Sequence, residues 1–349
     1  MPELCVIESP NVSYILHFSS SHPQRKKKLT FIMSKRLKRS RLQLESLPDE
    51  LLLKIFSYMN MQELLQYGQV SKRIRAICSD KSFWEETYLV KKKVKPEFIK
   101  FILDRNCELL VIDDTVIDGC VKLNKASKLA YLTIRWNVYA SKDFYHEILN
   151  SCCSLVSLEL DSRKQSLNVV LQDLCKRNGQ TLFSLKLAEC HWISKNSLQT
   201  ISKHCTELTK IDLTSTNISQ DAMDIFVSAL SPRVETICLA GNGDTSMTDA
   251  QIEVLVCRCN KITELDLDDA MLLTDASITS IIKHLKQSLR YLDLSHCPKI
   301  SFEKVLELKS MPKLRILKYG FKSWHTMVLR KKLSHLKVNP DGYLSWSYI

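Results

Sequence analysis

Glycine is scarce, seven residues in 349, and none of them forms the Gly-rich loop that cradles a phosphate. Phosphate-loop chemistry is therefore excluded. No run approaches the roughly 18 apolar residues of a membrane span, and the N-terminus shows no basic segment followed by an apolar one, so no membrane partner and no secretory leader are expected. The expected location is nucleus and cytoplasm. The 13 cysteines are odd in number and scattered through segments of helical or strand pattern, which in a reducing compartment reads as small buried hydrophobes. Cys152-Cys153 and Cys257-x-Cys259 are the best metal candidates, but neither is followed by a second pair at zinc spacing, and no metal or cofactor is expected. The nine histidines lack a Ser, Cys or Asp constellation at a recognisable spacing, so an enzyme is not expected.

The formal net charge of +12 is concentrated at the two ends. Residues 1–43 carry nine Lys/Arg against Glu3 and Glu8, and residues 308–340 carry nine more with no acid. The body between them is slightly acidic. That distribution argues against a nucleic-acid binder, which needs many cations on one surface.

A repeat runs through that body. LAYLTI (129–134), LVSLEL (155–160), LFSLKL (182–187), LTKIDL (208–213), VETICL (234–239), ITELDL (262–267), LRYLDL (289–294) and LRILKY (314–319) share the pattern apolar-x-x-apolar-x-apolar and start 25–28 residues apart. ELLVID (108–113) is a degenerate earlier copy. Segments of helical spacing lie between them: 166–177, 197–205, 221–230, 249–259 and 275–285, with Ser219, Thr248 and Thr274 as expected N-caps. One unit of about 26 residues cannot offset the roughly 1–2 kcal/mol per residue of ordering its backbone. Stacked units share a core, which predicts an α/β solenoid with one strand and one helix per repeat and a parallel sheet along its concave side.

LKLAECHWIS (185–194) and LDLSHCPKIS (292–301) give this repeat a resemblance to the cysteine-containing subtype of leucine-rich repeat. Strand alternation then puts Arg135, Glu159, Asp161, Lys186, Asp212, Asp266, Asp268 and Asp293 on the face away from the core. Acid dominates the late repeats. These residues are the candidates for a substrate-binding face, since solenoids usually bind along it.

LPDELLLKIFSYMNMQELLQYGQVSKRI (47–74) reads as short helices, with expected caps at Ser46 ahead of Pro48 and Asp49, at Asn60 with Glu63, and at Ser71. Leu51, Leu52, Ile55, Phe56 and Met59 spread over more than one stripe. About 40 residues make too small a core to bury them all, so part of this surface faces a partner. The order LPDELLLKIF, MQELLQYGQVSKRI, SDKSFWEETYL, from about Leu44 to Leu89, resembles an F-box. Ser71 and Ile74 depart from it, standing where the family usually has Cys and Trp. The resemblance implies that Leu47, Pro48, Leu51, Ile55, Phe56, Leu64, Leu65, Val70 and Trp84 supply contact with the Skp adaptor or the small core beneath that contact.

F-box followed by cysteine-type repeats is an arrangement of known receptors. It implies a non-catalytic substrate-recognition subunit of an SCF-type (Skp adaptor, cullin, F-box) E3 ubiquitin ligase. The further partners implied are a phosphorylated, cell-cycle-related substrate destined for the proteasome and a cyclin-kinase-subunit accessory protein. A repeat scaffold or inhibitor without ligase coupling is the alternative, and the F-box argues against it.

The expected domains are a basic disordered arm at 1–43, the F-box at 44–90, a helical linker at 91–107, the solenoid at 108–320 and a tail at 321–349. The two cationic clusters of 25–41 read as a nuclear-import signal, and Met33 is an expected alternative start. The basic tail is expected to leave the repeat, and the resemblance implies that it folds back along the sheet, opposite Asp266, Asp268 and Asp293. Arg330, Lys331 and Lys332 are the candidates for binding a substrate phosphate.

Overall fold

The computed structural model describes residues 4–9, 12–19, 28–31, 44–162, 165–243, 247–320 and 323–339. They divide into two units, 1–83 and 84–349.

The first unit holds two structures. Strands β1 (Leu4–Ser9), β2 (Val12–Ser19) and β3 (Lys28–Phe31) make an antiparallel sheet in the order β1-β2-β3. This differs from the irregular arm expected at 1–43: the runs CVI and VSYILHF are β-branched and aromatic, a strand signal outvoted by the charge around them. Residues 32–43, with Met33 and all of the second cationic cluster, lie outside the described residues.

Helices α1 (Asp49–Phe56), α2 (Met61–Tyr67) and α3 (Lys72–Cys78) follow. Asn60 and Glu63 form the expected capping box on α2, and the Ser71 hydroxyl caps α3 by accepting from the Ile74 N–H at 3.2 Å. At α1 the expectation fails. Pro48 is the N-cap and has no side-chain cap, and Asp49 with Glu50 instead places acid in the first turn, where the helix dipole favours it. Arg73 of α3 ties that helix to the start of α1, donating to the Leu47 carbonyl at 2.7 Å and to the Asp49 carboxylate. Leu52, Phe56 and Ile74 are fully buried, with Leu64, Ile77 and Cys78 nearly so. Gly68 sits where a Cβ would stand 3.2 Å from the Leu64 carbonyl and 3.6 Å from the Cys78 Cβ, so α2 and α3 meet closely there.

The second unit is built on an eleven-stranded sheet whose neighbours are all parallel. Its strands run in chain order from Glu86–Val90 to Lys337–Val338, and a helix follows most of them on the way to the next. Short strands with helical returns must pair in parallel, because each crossover brings the chain back to the same end. The register is one continuous apolar row: Leu110, Leu132, Leu158, Leu185, Ile211, Ile237, Leu265, Leu292 and Leu317 stand opposite one another in turn. None is more than 1% exposed. This row is the spine of the core, each member contributing about 2 kcal/mol of burial that an isolated repeat lacks.

The solenoid is longer than the repeat spacing predicts at both ends. It opens at Glu86–Val90, inside the segment assigned to the F-box, and Pro96–Leu103 is the first repeat's helix rather than a linker. Trp84 belongs to this unit, packing edge-on against Phe98 and Phe101 with centroids 6.0 and 5.1 Å away. At the other end, the chain does not leave the repeat at 320. Helix Ser323–Lys332 and strand Lys337–Val338 add one more unit, paired in parallel with Ile316–Tyr319. LSHLKV (333–338) carries the repeat pattern, but it comes too soon after LRILKY for a period near 26. Residues 340–349, and with them the end of the tail, lie outside the described residues.

Candidate functional site

Two surfaces stand out, one on each unit. On α1–α3 the nine residues expected at an adaptor contact separate by burial. Phe56 and Leu64 are core, at 0% and 4% exposure, and Trp84 is core of the other unit. Leu65 at 38% and Val70 at 68% are exposed, Pro48 is exposed, and Leu47, Leu51 and Ile55 are half-buried. Leu44 and Tyr67 are also exposed apolar residues. Neither is among the nine expected residues. Six of the nine expected residues therefore keep apolar surface in water, and three are core.

On the sheet, the residues facing away from the helices form rows of their own. Thr133, Glu159, Lys186, Asp212, Cys238, Asp266, Asp293 and Lys318 are opposite one another in turn. Every expected sheet residue from Arg135 to Asp293 lies on this face or on the turn that ends it. Arg135 reaches the carboxylates of Asp113 and Glu159, each at 3.5 Å. The aspartates brace their own turns: Asp212 accepts from the Thr214 N–H at 2.9 Å, Asp266 from the Asp268 N–H at 3.1 Å and Asp293 from the Ser295 N–H at 3.0 Å.

Asp266 and Asp293 are adjacent carboxylates with opposite fates. Asp293 is 3% exposed and fully engaged, accepting from the Tyr291 hydroxyl at 2.9 Å and pairing with Lys318 Nζ at 3.1 Å. It is a structural residue, not the open docking carboxylate expected. Burial, then the neighbouring Asp293, push the Asp266 carboxyl up to about 6. Burial and the same carboxylates push the Tyr291 phenol up as well. Asp268 pairs with His296 Nδ1 at 2.7 Å.

Residues 44–90 match the F-box-like family model, and residues 98–345, more than half the chain, match the model of the SKP2 LRR domain. The chain belongs to the F-box/leucine-rich-repeat family, with repeats of the SKP2 type. This agrees with the likeness of 44–338 to S-phase kinase-associated protein two carried by ELLLKIF and LDLDDAMLLTD. The family includes F-box/LRR-repeat protein 5 of Danio rerio, 28% identical over 184 residues that cover 53% of this chain and 26% of that protein. The Xenopus laevis protein of the same name is 24% identical over 225 residues, 64% of this chain and 29% of that protein. The chain thus spans about a quarter of the length of the curated relatives it matches. Among solved structures, the yeast Rad7 and Elc1 complex contains a chain with a TM-score of 0.57 at 15% identity, covering 86% of this chain and 92% of its own, which is a likeness of fold.

The cysteines of this F-box/leucine-rich-repeat chain are placed by the repeat. Cys190 donates its thiol to the Leu160 carbonyl at 3.4 Å and Cys297 to the Leu267 carbonyl at 3.2 Å, each reaching back about one repeat. Burial pushes both thiols up to about 12, so they stay protonated donors. Cys152 and Cys259 are buried likewise, whereas Cys153 and Cys257 are exposed, so neither candidate pair converges on one point.

Arg330, Lys331 and Lys332 are not brought to the sheet face. They occupy the last turn of helix Ser323–Lys332, and Arg330 is committed to the carbonyls of Val338 and Asn339, each at 3.2 Å. The expectation treated them as part of an irregular tail; the helix sends them elsewhere.

Proposed function

We propose that this chain is the substrate-recognition subunit of an SCF-type ubiquitin ligase, holding the Skp adaptor on α1–α3 and a protein substrate on the outward face of the sheet. The observation that carries the reading is the exposed apolar surface of Leu65 and Val70, together with half-buried Leu51 and Ile55, on a unit that already buries Leu52, Phe56, Leu64, Ile74 and Ile77. Apolar side chains left in water on so small a unit favour a partner. The receptor itself breaks no bond. It raises the effective concentration of a substrate lysine beside an enzyme charged with ubiquitin.

The finer parts of the reading are a phosphorylated cell-cycle substrate, its proteasomal degradation, a cyclin-kinase-subunit accessory protein and a location in nucleus and cytoplasm. The basic segment 25–41 supports nuclear import by its charge.

The test is adaptor binding by the intact chain and by a Leu65→Asp/Val70→Asp variant, with circular dichroism to verify folding. Binding by the first and loss by the second supports the receptor. Binding by neither leaves a repeat scaffold or inhibitor whose N-terminal helices meet another partner.

A further inference from the structure

The outward face of the sheet changes character along its length. From Ser157 onward its positions are mostly Ser, Thr, Lys, Asp and Glu, the composition of a solvated surface. The first three strands differ. Tyr88 and Val90 of Glu86–Val90, Leu109 and Val111 of Leu109–Asp113, and Tyr131 of Tyr131–Arg135 make five of the nine outward positions apolar. Pairing sets them side by side, Tyr88 opposite Val111 and Leu109 opposite Tyr131. Tyr88 is 53% exposed, Val90 40% and Tyr131 37%, so the platform is open to water. No core requirement explains it, because the inward positions of the same strands, Leu89, Leu110, Ile112, Leu132 and Ile134, are already buried.

The edge of this platform toward the later repeats is acidic. Asp113 and Glu159 flank Arg135, one cation for two carboxylates, and Asp161 follows Glu159 on the next turn. An apolar area bounded by carboxylates selects against acidic segments and for a cation next to a hydrophobic anchor.

We propose that the first three strands of the sheet form a docking site for an extended protein segment with one or two aromatic anchors followed by Lys or Arg. The aromatic side chains lie among Tyr88, Val111 and Tyr131, and the cations extend toward Glu159. The proposal deepens the receptor reading of the sheet face and rests on it: it assigns the entry point and chemical class of the substrate segment.

The test uses the full-length chain bound to the Skp adaptor and three labelled twelve-residue peptides, read by fluorescence polarisation. One carries two phenylalanines followed by three lysines, the second replaces the lysines with glutamates, and the third replaces the phenylalanines with serines. The expected result is binding of the first, weakened roughly tenfold or more in each of the other two. Tyr88→Ser/Tyr131→Ser weakens the first peptide by a similar factor, and Glu159→Lys reverses the preference between lysine and glutamate. Equal binding of the three peptides, no binding of the first, or no effect of Tyr88→Ser/Tyr131→Ser overturns the proposal. Adaptor binding, measured on the same samples, is unaffected by the sheet variants, so loss of it would count against the receptor reading instead.

Discussion

Asp249, the first residue of one repeat helix, grips Thr274, the N-cap of the next: its carboxylate accepts from the Thr274 N–H at 2.9 Å and from the Thr274 hydroxyl at 2.7 Å. The Ser277 hydroxyl donates to it as well. The same clasp recurs between Asp275 and Ser301, with N–H and hydroxyl both at 2.7 Å, and between Asn168 and the Ser194 N–H at 3.0 Å. A helix start thus orders the start of its neighbour, so repeats are joined along the helix row as well as through the sheet.

Asp249→Ala removes the acceptor for two groups of Thr274 and one of Ser277, and should cost on the order of 1–2 kcal/mol in urea unfolding. Burial alone would raise the Asp249 carboxyl, but the hydrogen bonds from Ser277 and Thr274 outweigh it and hold it below its ordinary range. A lowered carboxyl contributes stability that is present above the unfolded-state value and lost as pH falls. The gap between wild type and Asp249→Ala should therefore narrow in melts below about pH 4.

Asp266 has the opposite sign. Its folded-state value near 6 lies above that of an unfolded aspartate, so the native state holds the proton more tightly and loses stability as pH rises through 4–6. Asp266→Asn should raise the unfolding free energy at pH 7 by on the order of 1 kcal/mol and change little at pH 4. Equal effects at both pH values would contradict this origin.

Phe56→Ala and Val70→Asp should have unlike phenotypes although both residues lie in the F-box. Phe56 is fully buried, and its truncation should cost roughly 3–5 kcal/mol, melting 44–83. Val70 is 68% exposed, and its substitution should stay within about 0.5 kcal/mol of wild type in stability while adaptor binding is lost. Calorimetry together with a pull-down on the adaptor separates the two.

Native alkylation with iodoacetamide at pH 8 should label Cys120, Cys153 and Cys257 first, the exposed cysteines among the described residues. Burial raises the Cys152 thiol to about 11 and the Cys190 thiol to about 12, so these should react only after urea is added. Peptide mass spectrometry reads the order.

The repeat and its core row were legible because period and pattern reinforce each other from Leu129 to Tyr319, and the outward positions followed from alternation alone. The ends were not. Glu86–Val90 was hidden inside a motif assigned to the F-box, and LSHLKV by a shortened repeat. Pattern also says which way a side chain points but not what lies beside it. Asp293 lies on the outward face as alternation predicts, yet its burial under Tyr291 and Lys318 comes from neighbours that the pattern does not carry. Likewise a string of cations, Arg330 to Lys332, carried charge in the sequence but not the helix that turns it aside.

That turned-aside arginine has a consequence for polymerisation. A parallel sheet invites another chain to add at its last strand, through carbonyl and amide groups left open there. Here the last described strand is two residues long, and the guanidinium of Arg330 occupies the Val338 and Asn339 carbonyls. The Arg330 guanidinium thus takes carbonyls that a further strand would otherwise use along the described part of this edge.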